Sequence, residues 1–335
     1  MFYLLIFSIN ITLAFSLIKL LIYYSKSLKI IDSPKNLAIH KEPTPTSCGI
    51  IFCLIFLFDF LLLKNINSIN LHDSYLPNKV YIFYISLIVL TLISFIDDKK
   101  NIHPNYRLLI QVITVMFSLP LLSPGLNNFI NFLPHKFIIF SVIFYWIYLI
   151  NISNFLDGSD GYLTINAIGF FLGLLLLATI KNEFIFIKYV SFFLIPILVS
   201  FLYFNKHPAK IFMGDSGSIF IGYLLGFCSL QIIINNYWYI AATLLAYPFL
   251  DVSLTILRKI KNKKYPWERL FDYFFLRALI ASNYNHKKIL KITIIYNIFI
   301  FFLVSLQILF DIKYFFILAI FASLIKIKKF HSMSS

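Results

Sequence analysis

Long apolar stretches recur along the whole chain and are separated by short polar segments. Many of these stretches approach the ~20 residues that a helix needs to cross a lipid bilayer. The pattern therefore predicts an all-α, polytopic membrane helical bundle, a single transmembrane domain over residues 1–335 with about eleven transmembrane helices. The predicted spans are about 2–24, 47–63, 79–96, 106–122, 137–153, 162–180, 185–204, 217–235, 237–257, 289–310 and 313–329.

The basic residues predict the orientation of this bundle. Most of the 29 Lys and Arg residues lie on one of the two sides that the spans define. Since basic loops stay in the cytoplasm, the N-terminus is expected outside and the C-terminus inside. The loops on the cytoplasmic side are about 25–47, 97–106, 153–162, 204–217 and 258–289.

The composition is typical of a membrane protein and restricts the classes of partner that are expected. The chain is 60% hydrophobic with a mean hydropathy of +0.85, which no soluble domain matches. Its net charge of +15 indicates loops that face anionic lipid headgroups, so membrane lipids are expected as partners and nucleic acid is not. The three cysteines have no paired spacing, which excludes a disulfide framework and a cysteine zinc site.

Carboxylates concentrate in three of the predicted cytoplasmic loops. Asp97 and Asp98 are adjacent at the end of the third span, Asp157 and Asp160 lie in a loop without Lys or Arg, and Asp215 follows in the next loop. Acids at a membrane boundary repel each other unless a cation or a proton intervenes. Their placement therefore predicts a functional site on the cytoplasmic face.

Asp215 is the best candidate for a metal ligand by its local sequence. It lies between Gly214 and Gly217, which allow the backbone to approach a ligand closely, and a helix is predicted to begin there. An acid beside a helix N-terminus could hold Mg²⁺ and a diphosphate together. The alternative is a capped turn between two helices, with Asp215 as the capping residue.

Four motifs in chain order resemble the polyprenyl-phosphate N-acetylhexosamine-1-phosphate transferase family, glycosyl transferase family 4. They cover about two-thirds of the chain. The matching residues are Asp32-x-Pro34-x-Asn36 with His40-x-x-Pro43-Thr44-Pro45, Asp97-Asp98 followed by Arg107 and Gln111, Asn151-x-x-Asn154-Phe155-x-Asp157-Gly158-x-Asp160-Gly161 after Trp146, and Asn205-x-x-Pro208-Ala209-x-x-Phe212-Met213-Gly214-Asp215-x-Gly217-Ser218.

The resemblance implies catalytic and metal-binding roles. Asp215 is similar to the Mg²⁺-coordinating acid of the family, with Mn²⁺ as a second possible ion. Asp97 is similar to the residue that binds or deprotonates the polyprenyl phosphate, and Asp98 to one that supports the metal or phosphate site. Asp157 and Asn154 match positions that order the metal and the nucleotide.

The resemblance also implies substrate-binding residues. Asp160, Asn205 and Phe212 match positions that surround the uracil of a UDP-sugar, with the Phe212 ring as a stacking surface. His40 in the first loop and Arg269 in the last are expected to contact substrate, since an arginine can bind a diphosphate with two hydrogen bonds.

The chain departs from the family in its last large loop. The family usually carries a cluster of histidines there, whereas this loop has a lone His286. Glu268 and Arg269 stand where O-antigen-type relatives have a His-Arg pair. The late-loop signature of the peptidoglycan branch is absent, which favours the branch that starts O-antigen and common-antigen glycans.

The resemblance implies a Mg²⁺-dependent transferase of the bacterial inner membrane. The expected reaction transfers an N-acetylhexosamine 1-phosphate from a UDP-N-acetylhexosamine to undecaprenyl phosphate and releases UMP, in lipopolysaccharide or other cell-wall biogenesis. A homodimer is also expected. The alternatives are a phospho-N-acetylmuramoyl-pentapeptide transferase, a membrane transporter that uses its acids for ion coupling, and an inactive relative that serves as a scaffold.

Overall fold

The computed structural model describes residues 2–34, 42–65, 79–100, 102–122, 134–265 and 272–334. These residues form helices and one short two-stranded ribbon. The helices are α1 Phe2–Tyr24, α2 Gly49–Asn65, α3 Val80–Lys100, α4 Pro104–Ser118, α5 His135–Leu156, α6 Tyr162–Lys181, α7 Ile185–Asn205, α8 Gly214–Ile234, α9 Trp238–Lys261, α10 Phe274–Ala281, α11 His286–Phe310 and α12 Phe315–Ser334; the strands are β1 Ile31–Asp32 and β2 Thr44–Pro45.

The prediction of an all-α polytopic membrane protein is confirmed. Each predicted span coincides with a helix, and eight described helices are long and apolar enough to cross a membrane: α1, α3, α5, α6, α7, α8, α9 and α11. Two others, α2 and α4, have 17 and 15 residues, and α12 carries three lysines. Eleven spans and the orientation therefore stay predictions. The ribbon and the eight-residue helix α10 were not predicted.

Helix α8 lies at the centre of the bundle and is buried over 89% of its most apolar stretch. It packs against α2, α3, α5 and α9. Small residues allow this, because a Cβ atom at Gly226 would lie 2.1 Å from the Trp146 ring of α5. Trp146 in turn donates its indole N–H to the backbone oxygen of Tyr223 at 3.0 Å. These contacts hold the middle of α8 against α5.

The predicted functional residues meet at one end of the bundle. Neighbouring antiparallel helices alternate in direction. The same end of the bundle therefore holds the C-terminal ends of α3, α5, α7 and α9 and the N-terminal ends of α4, α6, α8 and α11. The ribbon joins the first loop to this end, because the backbone N–H of Phe212 donates to the carbonyl of Pro45 at 2.8 Å. Burial of the apolar faces of the helices therefore gathers their polar ends.

Gly49, the first residue of α2, lies against the backbone of α8. A Cβ atom at this position would lie 2.1 Å from the backbone nitrogen of Gly217. We expect Gly49→Ala to destabilise the protein by about 3 kcal/mol or more, because two backbones would have to separate. Thermal unfolding of the detergent-purified protein measures this.

Gly169→Ala is the matched control for that variant. Its added methyl group would lie 3.2 Å from the Asn297 side chain, which can shift, rather than from a backbone. Equal stability of the two variants would contradict the close approach at Gly49.

Candidate active site

One arginine joins two of the predicted carboxylates. Asp97 lies near the end of α3 and is 5% exposed. Its Oδ2 accepts a hydrogen bond from Nη1 of Arg107 at 2.7 Å, and the same nitrogen lies 2.5 Å from Oδ2 of Asp215. The Oδ1 of Asp97 accepts the backbone N–H of Ile102 at 2.6 Å. The guanidinium offsets the repulsion between two carboxylates from loops that are far apart in sequence.

Asp98 caps the first turn of α8. Its Oδ1 accepts the backbone N–H of Asp215 at 2.8 Å, and its Oδ2 accepts the hydroxyls of Ser47 at 2.8 Å and Ser216 at 3.0 Å. A carboxylate at a helix N-terminus is stabilised by the free N–H groups there. Because both oxygens are engaged, Asp98 positions Asp215 and ties the first loop to it.

Asn154 orients Asp215 from the other side. Its Nδ2 donates to Oδ1 of Asp215 at 2.8 Å and lies 3.2 Å from the hydroxyl of Ser218. One turn earlier on α5, the side chain of Asn151 donates to Oε1 of Gln111 in α4 at 3.0 Å. The two asparagines lie three residues apart on α5, and their side chains reach α4 and α8.

Asp157 ends α5 and lies among acidic neighbours. It is half-buried, and its carboxylate receives no hydrogen bond from the residues that the structure describes. Loss of hydration raises the pKa of Asp157 well above its usual value, and repulsion from Asp215, Asp98 and Asp160 raises it further. A partially buried carboxylate without a partner is costly unless something else neutralises it.

This set of donors fits a divalent cation of the Mg²⁺ type. Asp157 and Asp215 offer carboxylate oxygens, and Arg107 is the one cationic side chain that the described structure places against Asp97 and Asp215. Oxygen-only ligands with several charges in one pocket are what Mg²⁺ and Mn²⁺ prefer. Asp157 receives no hydrogen bond from a described residue and is the carboxylate that such an ion could neutralise.

Asn205 holds the loop between α5 and α6 together with the loop before α8. Asn205 is buried, its Oδ1 accepts the backbone N–H of Gly161 at 2.9 Å, and its Nδ2 donates to the carbonyl of Ile211 at 3.0 Å. Phe212 is half-buried. The contacts of Asn205 give it a positioning role, while the predicted stacking of a base on Phe212 stays a prediction.

Helix α10 of the last loop covers the loop between α5 and α6. The ring of Phe275 stacks on Tyr162 with centroids 4.1 Å apart. A Cβ atom at Gly158 would lie 3.1 Å from the Leu276 side chain. Asp251 of α9 anchors this helix, because its Oδ1 accepts the backbone N–H of Phe274 at 2.9 Å. The last loop therefore shapes the site. The predicted residues His40 and Arg269 lie outside the described residues.

Sequence reasoning missed the roles of two residues. Arg107 was part of a motif but had no assigned contact. A lone arginine near the start of a mostly apolar helix could have indicated its role. His207 had no role at all, yet its Nδ1 lies 2.7 Å from Oδ2 of Asp160. The remaining predicted residues, apart from His40 and Arg269, all lie at this end of the bundle.

Comparison with known proteins gives one family. The sequence model of glycosyl transferase family 4 matches residues 80–233. A probable undecaprenyl-phosphate N-acetylglucosaminyl 1-phosphate transferase of Bacillus subtilis (strain 168) is 25% identical over 289 residues, covering 82% of this chain and 76% of that protein.

Two further relatives are phospho-N-acetylmuramoyl-pentapeptide-transferases. The one from Prochlorococcus marinus subsp. pastoris is 31% identical over 261 residues, covering 69% of each chain. The one from Wolbachia sp. subsp. Brugia malayi is 28% identical over 314 residues, covering 83% of this chain and 92% of that protein. The relatives thus carry the names of two branches, and their names describe transfer of a sugar phosphate.

Proposed function

The chain belongs to glycosyl transferase family 4, and on that premise we propose that it transfers an N-acetylhexosamine 1-phosphate from a UDP-sugar to undecaprenyl phosphate. UMP is the second product. The observation that carries the proposal is the convergence of Asp97, Asp157 and Asp215 with Arg107 at one end of a membrane bundle. One substrate is soluble and the other stays in the bilayer, so the site has to lie at the membrane surface.

The reaction is a substitution at the β-phosphorus of the UDP-sugar. An oxygen of undecaprenyl phosphate forms the new P–O bond, and the bond from the β-phosphorus to the oxygen shared with the α-phosphate breaks. A phosphate dianion is already nucleophilic, so the protein has to align two phosphates and neutralise their charge. An acid–base step contributes only at the lipid phosphate.

Asp215 and Asp157 would hold Mg²⁺, or Mn²⁺ in its place. The bound ion would neutralise diphosphate charge and stabilise the leaving UMP. Asn154 keeps Asp215 in one rotamer through its hydrogen bond, and Asp98 fixes the backbone beneath it. Those two contacts preorganise the metal-binding acid before substrate arrives.

Asp97 and Arg107 serve the phosphates. The Arg107 guanidinium lies between Asp97 and Asp215, where its remaining N–H groups can bind phosphate oxygens. Asp97 either takes the last proton of undecaprenyl phosphate or keeps Arg107 in place for it. Binding of the UDP-sugar would also involve Asp160, Phe212, His40 and Arg269.

The absence of the late-loop signature in the sequence favours the O-antigen and common-antigen branch over the peptidoglycan branch. The proposed protein works in the bacterial inner membrane, with its site on the cytoplasmic face and the basic loops around that site. The transporter alternative is weaker, because the family relatives are transferases. The phospho-N-acetylmuramoyl-pentapeptide transferase remains the second candidate, since several relatives carry that name.

The test is an assay of UMP release by the detergent-purified protein. We expect release that requires both Mg²⁺ and undecaprenyl phosphate, with at least one UDP-N-acetylhexosamine as donor. Parallel reactions with UDP-N-acetylglucosamine, UDP-N-acetylgalactosamine and UDP-N-acetylmuramoyl-pentapeptide separate the two branches. No release from any donor, while an active relative works in the same buffer, would identify an inactive scaffold instead.

A further inference from the structure

A second group of metal-binding side chains lies beside the oxygen-rich cluster. It consists of Asp160 from the loop between α5 and α6, His207 from the loop between α7 and α8, and His286 from the first turn of α11. One ligand atom of each lies within 4.8 Å of those of the other two. Three separate elements therefore bring one carboxylate and two imidazoles to a single point.

The carboxylate of Asp160 is the centre of this group. Its Oδ2 lies 2.7 Å from Nδ1 of His207 and 3.9 Å from Nδ1 of His286, and it accepts the backbone N–H of Ala209 at 3.3 Å. His286 is 3% exposed, and its Nδ1 lies 3.0 Å from the hydroxyl of Ser159. His286 and Asp160 are thus fixed by the surrounding protein.

His207 is the adjustable member. Its side chain is 38% exposed, and its ring stacks on that of His286 with centroids 4.3 Å apart and planes 6° apart. Parallel rings cannot aim their nitrogen lone pairs at one ion, so His207 has to turn about its side-chain bonds when an ion binds. The stacking lost is worth only about 0.5–1.5 kcal/mol, and the exposed ring has room to turn.

The chemistry of these donors differs from that of the first cluster. Imidazole nitrogens suit Zn²⁺, Co²⁺, Ni²⁺ and Cu²⁺, whereas Mg²⁺ prefers oxygen ligands throughout. Two nitrogens and one carboxylate are also the protein ligands of many open zinc sites. The hydroxyl of Ser159 contacts Nδ1 of His286 and orients that ring.

We propose that Asp160, His207 and His286 bind a transition-metal ion, Zn²⁺ above all, at a site separate from the Mg²⁺ cluster. Asp160 and Asp157 belong to one short loop and interact electrostatically. An ion at Asp160 would therefore hold that loop in one position and occupy a group expected to bind the UDP-sugar. Zn²⁺ at this site inhibits the transferase, and this second part rests on the proposed function.

Binding is tested first, without any assay of activity. The full chain is purified through a tag that contains no histidine, stripped with a chelator, and titrated with Co²⁺ in excess Mg²⁺. We expect one site whose visible absorption shows nitrogen ligands, and an affinity at least about tenfold weaker in His207→Ala. His135→Ala, an exposed histidine at the start of α5, is the control and keeps the affinity of the unchanged protein.

The two parts of the proposal can fail separately. Equal Co²⁺ affinity and spectra for the unchanged protein and His207→Ala would overturn the site. Zn²⁺ inhibition of UMP release is then measured relative to the zinc-free rate of each variant, and we expect at least about tenfold less sensitivity in His207→Ala. Equal sensitivity would overturn the inhibition, whereas a protein that binds Co²⁺ but never releases UMP would contradict the proposed function alone.

Discussion

Replacing Asp215 by Asn lowers the rate of UMP release by about two orders of magnitude or more at saturating Mg²⁺, a loss typical of one electrostatic group in an active site. The amide oxygen of the new side chain can still accept the hydrogen bond from Asn154, so the local structure is kept. What is lost is the charge that faces Arg107 at 2.5 Å and would bind the metal ion. Asp97→Asn is expected to lower the rate by a similar factor, because Asp97 binds the same arginine.

The measurement is kcat for UMP release, with Asp311→Asn as the matched control. Asp311 lies at the opposite end of the bundle between α11 and α12, where it accepts a hydrogen bond from Tyr239. The control should keep nearly the full rate. Activity of Asp215→Asn close to that of the control would remove Asp215 from the proposed metal site.

Replacing Asp157 by Asn changes activity and stability in opposite directions. The variant loses about two orders of magnitude in rate, because a ligand of the metal is gone. In EDTA, however, it unfolds at a higher temperature than the unchanged protein, since the amide is neutral and is not repelled by Asp215, Asp98 and Asp160. A structural carboxylate with good partners would show the reverse, a loss of stability on neutralisation.

The sign of the pH dependence follows from the raised pKa of Asp157. An acid whose pKa is higher in the folded state favours folding when protonated, so its contribution is lost as the pH rises through the unfolded and then the folded pKa. In EDTA the stability advantage of Asp157→Asn should therefore grow with pH and then level off. Mg²⁺ should restore the stability of the unchanged protein at high pH and should not change the stability of the variant.

Thermal unfolding in detergent across a pH series, with EDTA or Mg²⁺, measures these effects. The difference between the two proteins cancels the titration of groups that do not interact with Asp157. A variant that is less stable than the unchanged protein in EDTA at high pH would show that Asp157 has a stabilising partner and would argue against its role as a metal ligand.

Several site residues could be predicted from local sequence because their position depends on helix boundaries. Asp157 comes directly after the last turn of α5, and Asp215 lies in the first turn of α8, so both had to lie at helix ends. The helices themselves follow from apolar runs, which explains why the predicted spans coincide with them. The ribbon and α10 escaped prediction because two-residue strands and eight-residue helices carry too short a pattern.

The contacts within the site could not be predicted in this way. Asp98 was expected to support the metal or phosphate, but which groups it contacts depends on Ser47 and Asp215, which are 51 and 117 residues away in the chain. Asn205 was expected near the uracil, which stays a prediction, and its hydrogen bonds with Gly161 and Ile211 were not foreseen. Contacts of such separation arise only when helices pack.

By itself the sequence determined that this protein is a bundle of apolar helices with five of its acids at or beside helix ends, because hydrophobicity and helix boundaries are local properties. Only the tertiary structure decided which acids share Arg107, which one receives no hydrogen bond from a described residue, and that His207 meets His286 over Asp160. The physical reason is that side-chain charge and hydrogen bonding are satisfied between elements. Which elements become neighbours is set by the packing of the whole bundle.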